Sequence, residues 1–593
     1  MCGISGILTN NHDLTPLIAQ MQLALHHRGP DDQGIYISSD KNTALAHNRL
    51  SILDLSSAGH QPMSSGNNRY WITFNGEIYN FKEVRSQFLQ DEKFTSQTDT
   101  EVILKLYQKM GVDCVKHFRG MFAFAIWDDV EKTCFIARDP LGIKPLYYYQ
   151  SGNTLLFASE VKAILATKLV NFNLSVEGLY GYLTTGSVPE PYTMIHDIKS
   201  LLAGHYLTWK KDNFQISKYY QINFIPENIN HLEAQEMVSK ALKESIGYHF
   251  ISDVPVGIFL SGGIDSSAVV ALARKSQFGE LRTYSIGFEE SEWNEGEIAQ
   301  KVAQNFDTKH TEYQITANIV KDLFPQFLQA IDQPSIDGFN TFCVSKIAHE
   351  DGIKVVLSGL GGDELFGGYA SFYQIPKMVN FGQKFQLVKP VLNHIGKLLE
   401  YHSNNPKIKR LGDFFQQTPN TINAYRSFRG IFSHWEAINI INKYLPEQNI
   451  MRPDHISLSE KLPSIEDEIS LLEITYYMRN QLLRDSDVMS MNWGLELRVP
   501  LVDRVLLETI SSIPSNIRLK SGKELLVKSV PELPEFVYNR PKKGFIFPFE
   551  KWLNTELNDM FSDSQLNANI PVTSWYRKWS LGMLEYWVKT QNM

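Results

Sequence analysis

Short apolar runs broken by glycine fill the first third of the chain, while apolar runs alternating with helical periodicity fill the middle. In the first region, Tyr70-Trp71-Ile72-Thr73-Phe74, Met121-Phe122-Ala123-Phe124-Ala125-Ile126-Trp127 and Thr154-Leu155-Leu156-Phe157-Ala158 read as strands. Residues 99–110 carry apolar side chains at 102, 103, 106, 107 and 110 with acids in the first turn, which predicts an amphipathic helix. This mixture predicts packed antiparallel sheets flanked by helices. Gly186-Ser187-Val188-Pro189-Glu190-Pro191-Tyr192 reads as a connector, and Leu207-Thr208-Trp209 as a short run closing the boundary before a helix starting near Leu232. The first domain is therefore placed at residues 2–195 and the second at 230–575. In the second, strands at 254–260, 282–288 and 353–357 alternate with helices at 266–275 and 295–306. Continuous apolar strands joined by helices predict a parallel, doubly wound sheet covered on both faces. Past residue 375 helices dominate.

The bulk numbers narrow the class. At 593 residues the chain exceeds the roughly 250–300 residues at which single cores stop growing, so two or more domains are expected. With 57 basic and 65 acidic residues the net charge is −8, and no basic stripe with interleaved aromatics argues for nucleic acid. Residues 10–16 are too polar for a signal peptide, and nothing approaches about 18 uninterrupted apolar residues, so neither secretion nor a membrane is expected. Cys2, Cys114, Cys134 and Cys343 form no CxxC pair. They imply neither a disulfide framework nor a zinc site, and a cytoplasmic location is expected.

Candidate chemistry begins at Met1-Cys2-Gly3. Loss of the initiator methionine would put a thiol and a free α-amine on one residue, with ordinary pKa values near about 8.5 and 7.7–8.0, matched for proton exchange. Phe74-Asn75-Gly76-Glu77 places a turn after an aromatic strand. There Asn75 and the Gly76 N–H are candidate oxyanion donors, Gly76 permitting close backbone approach. Arg49, ending the run His47-Asn48-Arg49-Leu50-Ser51-Ile52, is a candidate for an amino acid's α-carboxylate, with Glu77 and Asp99 for its α-ammonium. Taken singly, Asn75-Gly76 is more often a hairpin turn, Arg49 a surface ion pair and Asp99 a plain N-cap. In the second domain, Leu260-Ser261-Gly262-Gly263-Ile264-Asp265-Ser266-Ser267 follows a strand and opens a helix, an arrangement that suits an anion. It lacks the lysine of a kinase-type phosphate loop and suits a magnesium–pyrophosphate leaving group. Ser358-Gly359-Leu360-Gly361-Gly362-Asp363-Glu364 repeats the theme: Asp265 and Asp363 are candidates to share Mg2+, and Ser358 and Gly359 to bracket ATP.

The N-terminal motifs, with His27-Arg28-Gly29-Pro30-Asp31 and Ala137-Arg138-Asp139-Pro140-Leu141-Gly142, resemble the class II glutamine amidotransferase domain. The later ones, with Arg484-Asp485-Ser486-Asp487, Glu496-Leu497-Arg498-Val499-Pro500 and Arg540-Pro541-Lys542-Lys543-Gly544-Phe545, resemble the C-terminal domain of glutamine-dependent asparagine synthetases. The resemblance implies an N-terminal-nucleophile αββα sandwich followed by an adenine-nucleotide α-hydrolase-like parallel sheet with added helices. It implies that Cys2 is the nucleophile, that Leu50, Ser51 and Ile52 join Arg49 around glutamine, that Ile286 joins the ATP site, and that Lys523 stabilises charge during amide formation. One departure is Leu360, where aspartate-amidating members carry an acid; Glu364 and Glu496 are the nearest substitutes by motif. The expected reaction is glutamine-dependent amidation of an acyl-adenylate, with L-aspartate the leading carboxylate. Another carboxylate, such as a sugar uronate, and a glutaminase with an inactive second half are the alternatives. The oligomeric state is open, a homodimer being one option.

Overall fold

The computed structural model describes residues 2–211, 213–276, 279–288, 296–446, 450, 452, 462–540, 547–561 and 570–591. In the N-terminal half the strands are β1 (Gly3–Leu8), β2 (Asp32–Ile37), β3 (Thr43–Arg49), β4 (Met63–Ser64), β5 (Tyr70–Ile78), β6 (Gly120–Asp128), β7 (Thr133–Arg138), β8 (Tyr147–Ser151), β9 (Thr154–Ala158), β10 (Ile198–Ser200), β11 (His205–Lys210) and β12 (Asn213–Lys218). They form two antiparallel six-stranded sheets, ordered β10-β8-β9-β1-β3-β2 and β12-β11-β7-β6-β5-β4. The unbroken apolar run of β6 is explained by burial on both faces. Phe122, Phe124 and Ile126 pack toward helices Phe81–Phe88 and Asp99–Met110, while Ala123, Ala125 and Trp127 pack toward the other sheet with Ile4, Leu8 and Leu45.

Two expectations are corrected here. The run 207–209 is part of β11, which pairs with β7, so strands of these sheets extend to Lys218, beyond the 195 placed from sequence. Nor do Asn75 and Gly76 form a turn: β5 continues through them, opposite Ala123 and Phe122 of β6. Gly76 has φ +150°, and a Cβ there would lie 2.1 Å from the Met121 carbonyl oxygen, so the strand passes only because the residue is glycine.

In the C-terminal half β13 (Val256–Phe259), β14 (Arg282–Phe288), β15 (Lys309–Ile315), β16 (Val355–Leu357) and β17 (Glu496–Arg498) form one parallel sheet ordered β15-β14-β13-β16-β17. Helices Ile264–Ser276 and Gly296–Asn305 connect β13 to β14 to β15, and the chain then returns to the opposite side of β13. Residue 295, the expected start of the second helix, lies outside the described residues, as do residues 541–546 of the Arg540-Pro541 motif. The reversal between β13 and β16 is the switch point of an open parallel sheet, where crevices form beyond the carboxyl ends of the strands. The two loops singled out from sequence, after Phe259 and after Leu357, flank that crevice.

Buried ion pairs tie the halves together. The fully buried Arg28 donates to Glu160 at 2.8 Å and to Asp487 at 2.6 Å, and Arg119 makes two 2.8 Å bonds to Asp503. Asp332 accepts from the backbone N–H groups of Val161 and Lys162, both at 2.9 Å.

Candidate functional site

The first site opens at the end of β1. The Cys2 N–H donates to Asn75 Oδ1 at 3.0 Å, and Arg28 Nε holds the Cys2 carbonyl at 3.1 Å. With its Oδ1 occupied, the buried Asn75 Nδ2 has no partner among the described residues. Burial pushes the Cys2 thiol up, outweighing the chain's amino terminus, the Leu50 backbone and the Arg49 guanidinium.

A cavity of about 30 Å³ beside the thiol is lined by Arg49, Leu50, Ile52, Gly76, Glu77 and Asp99 among others. Arg49 is held by the carbonyls of Ser56 and Asp54 at 3.1 and 2.5 Å, and Gly59 makes room for it, since a Cβ there would sit 1.9 Å from Nη2. Ser51 is not on this wall; its N–H donates to Asp31 at 2.7 Å. Asn75 is likewise off the wall and meets the site through Cys2. Thr98 caps helix Asp99–Met110, leaving the Asp99 carboxylate to accept from the Ile78 N–H at 2.8 Å. Burial raises Asp99 to about 7 and Glu77 well above the carboxylate range.

Sequence reasoning missed two contributors from the other half. Glu496 lines this cavity, and Arg498 reaches Glu77 at 3.2 Å while bonding Glu496 at 2.5 Å. Burial opposes the Glu496 charge, but the amino terminus, Arg498 and Lys144 outweigh it and hold it at about 2. Glu496 therefore belongs with Cys2, and its assignment as a substitute for the acid missing at Leu360 is corrected. Gln61 is a further unpredicted wall residue, clamped by the Phe74 N–H at 2.8 Å.

The second site lies at the switch point. The loop after β13 is closed by hydroxyls: Ser261 and Ser266 lie 3.1 Å apart, and Ser266 Oγ donates to the Gly263 carbonyl at 3.2 Å. Gly262 is at φ +76°, and its carbonyl accepts from Arg540 Nη2 at 2.7 Å. The second loop touches the first, since a Cβ on Gly359 would lie 2.6 Å from the Ser266 nitrogen. Between the loops Lys523, buried and itself at φ +55°, pairs with both Asp265 and Asp363. Burial works against its charge, but the two carboxylates prevail and raise its pKa.

A cavity of about 240 Å³ runs from this point along Leu260, Ser261, Asp265, Ser266, Ile286, Ser358, Gly359 and Leu360. Gly262, Gly263 and Ser267 shape the loop without lining it. Leu360 thus stands on the same wall system as Ile286 and Val344, with its N–H on Ser358 Oγ at 3.3 Å. Glu364 is buried, accepts from the Tyr369 hydroxyl at 2.8 Å, and is raised by burial to about 7.

A second cavity of about 260 Å³ shares Asn340 with the first. Its walls are mostly aromatic, including Phe339, Tyr425, Tyr477, Phe549, Trp575 and Trp579, with Asp337, Gln481 and Arg429 as polar members. Arg429 is committed to Glu473 at 2.8 and 3.1 Å and stacks on Tyr369 and Tyr477.

A thiol-bearing amidotransferase unit joined to a parallel-sheet nucleotide unit defines the class of glutamine-dependent amide-forming ligases. Residues 1–220 match the glutamine amidotransferase domain family and residues 237–584 match asparagine synthase. The chain is 32% identical over 588 residues to asparagine synthetase (glutamine-hydrolyzing) 1 of Bacillus subtilis (strain 168), covering 96% of this chain and 91% of the relative. It is 38% identical over 432 residues to putative asparagine synthetase (glutamine-hydrolyzing) 2 of Methanocaldococcus jannaschii, covering 67% and 83%. The amidase chry2 of Gibberella zeae is 25% identical, with 100% of this chain and 94% of the relative covered. The chain belongs to the glutamine-hydrolysing asparagine synthetase family, a family that uses ATP as co-substrate.

Proposed function

We propose that the Cys2 thiolate, deprotonated through its own α-amine, attacks the glutamine carboxamide, and that water then releases glutamate. The ammonia so formed attacks an acyl-adenylate made from ATP and a carboxylate, with pyrophosphate leaving in the first step and AMP in the second. The observation that carries this reading is the Asn75 amide. Its Oδ1 orients the Cys2 nitrogen while Nδ2 remains a buried donor without a partner among the described residues, which suits an oxyanion that exists only during reaction. Arg49 would hold the glutamine carboxylate, with Asp99 and Glu77 at its ammonium.

On the nucleotide side, the loop from Leu260 to Ser267 would cradle the phosphates, with Ser358 and Gly359 beside the nucleoside. Asp265 and Asp363 already converge on one cation, the Lys523 ammonium. That fits Mg2+, which needs few carboxylates beside waters and phosphate oxygens, and which when bound would neutralise the leaving pyrophosphate. Lys523 would then turn its charge to the acyl-adenylate. The test is Cys2→Ala, which should stop glutamine-dependent synthesis and spare synthesis from ammonium salts. Intact-mass analysis of active enzyme should find Met1 absent.

A second reading concerns the carboxylate. Aspartate, the leading candidate from sequence, needs a free cation for its α-carboxylate, yet Arg429 in the adjoining cavity is committed to Glu473. That cavity is also as large as the nucleotide cavity, whereas aspartate has fewer than half the heavy atoms of adenosine. Aromatic walls with a few amide and hydroxyl groups suit a ring-bearing carboxylate such as a uronate. Pyrophosphate release with aspartate against a panel of uronates decides between them, and Leu360→Glu shows whether the missing acid matters.

A further inference from the structure

Helices Ser371–Lys384, Lys389–His402 and Pro406–Gln416 follow one another in the C-terminal half. Gly396 and Gly412 set their geometry: a Cβ on either would lie 2.6 Å from the other's carbonyl oxygen, so the second and third helices meet backbone to backbone and the rest of the second helix faces outward.

That outward face is apolar. Val391, Ile395 and Leu398 follow helical spacing, 40–57% exposed, and Leu387 at the turn preceding them is 98% exposed. Tyr373 and Phe381 on the first helix are exposed as well, and Phe381 meets Phe385 beside that turn with ring centroids 4.7 Å apart. Of the 18 large hydrophobic side chains exposed among the described residues, most lie between 373 and 408, so the exposure is local and not a general property of the surface. The same segment is basic. Lys377, Lys384, Lys397 and Lys407 are exposed along it, and the single acid from Ser371 to Lys407, Glu400, is buried under Gln416 and Trp435. A positive, apolar surface on a chain of net charge −8 is a segregated feature.

We propose that this surface docks the enzyme on an anionic bilayer, with Leu387 and the stripe through Leu398 entering the headgroup boundary and the lysines on lipid phosphates. The physical case rests on the pairing of insertion and charge: amphipathic helices with lysines beside an apolar face lie in the interface plane, and no helix among the described residues is long and apolar enough to cross a membrane. A second copy fits less well, because a twofold contact would set these lysines against themselves. The sequence expectation of no membrane partner rested on the absence of a spanning segment, which says nothing about such a surface.

The test is co-sedimentation of the whole protein with vesicles of phosphatidylcholine alone or mixed with phosphatidylglycerol. Binding is expected to the anionic vesicles only, falling as salt rises. Leu387→Glu with Val391→Glu should weaken it about ten-fold or more, and each of Lys377→Gln, Lys384→Gln and Lys397→Gln about five-fold at low salt. Glutaminase rates should be unchanged in all of them, which excludes misfolding. Equal binding to both vesicle types, no binding to either, or full binding by the double glutamate variant overturns the proposal. A dimer in sedimentation velocity that the double variant abolishes, without lipid binding, assigns the face to a second copy instead.

Discussion

The two chambers of this enzyme are built on opposite plans. Beside Cys2 the cavity is about 30 Å³ and walled by charge: Arg49, Glu77, Asp99 and Glu496. At the switch point the cavities are about 240 and 260 Å³; the first mixes apolar side chains with serines and Asp265, the second is mostly aromatic with Asp337, Gln481 and Arg429, and Lys523 pairs with Asp265 and Asp363 between the two loops. On the proposed reading, the first chamber would select one small zwitterion by pairing its charges, and the second would hold two larger reactants by area and reserve charge for the phosphates.

The contrast is sharpest at the nucleophile. Cys2→Ala should lower glutamine hydrolysis by on the order of 10⁴-fold or more while ammonia-dependent AMP formation continues; equal loss of both activities would mean that the chambers are not separable. Asp363→Asn and Asp265→Asn are expected to do the reverse, cutting AMP formation by about 10²–10³-fold and leaving glutaminase within about two-fold. Steady-state assays of AMP and of glutamate on the same preparations check both.

Arg498→Met should blur the comparison, because Arg498 is fully buried and serves the first chamber from the second half. Removing one partner of a buried ion pair costs about 3–5 kcal/mol, so denaturant unfolding should move and the glutamine KM should rise together.

The smallest effect concerns Asp99. Burial raises it to about 7, so in the free protein it is largely protonated at pH 6 and binds a proton that the unfolded chain has already lost. Between its ordinary value near about 4 and 7, rising pH therefore lowers its contribution to stability. Binding of an ammonium group favours the ionised form, so the glutamine KM should fall roughly ten-fold from pH 6 to 8. Asp99→Asn should flatten that slope, read from initial rates across the range.

Much of this plan was legible in the chain. Helix Asp99–Met110, strand β14 and both loops at the switch point follow from periodicity and from glycine–serine spacing, because those signals are local. The Asn75-Gly76 pair misled, since its usual turn meaning gives way here to a strand that needs glycine for close packing on Met121. Residues that act at a distance left no local mark. Glu496 and Arg498 sit in a three-residue strand whose motif points to the nucleotide half, and only folding brings Glu496 to the cavity beside Cys2 and Arg498 onto Glu77. The aromatic cavity is likewise assembled from segments as far apart as Thr185 and Trp579, each of which reads alone as ordinary core.

Strand β17 carries a consequence for modularity. Its Arg498 carbonyl accepts from the Ser358 N–H at 2.9 Å, fixing the loop after β16, while its side chain pairs with Glu77 of the cavity beside Cys2. A gene cut between the domains would give an N-terminal fragment lacking one wall of its own pocket. Exchange of amidotransferase halves among relatives would have to carry this strand's register along with it, so the two halves are bound to change as a single inherited unit.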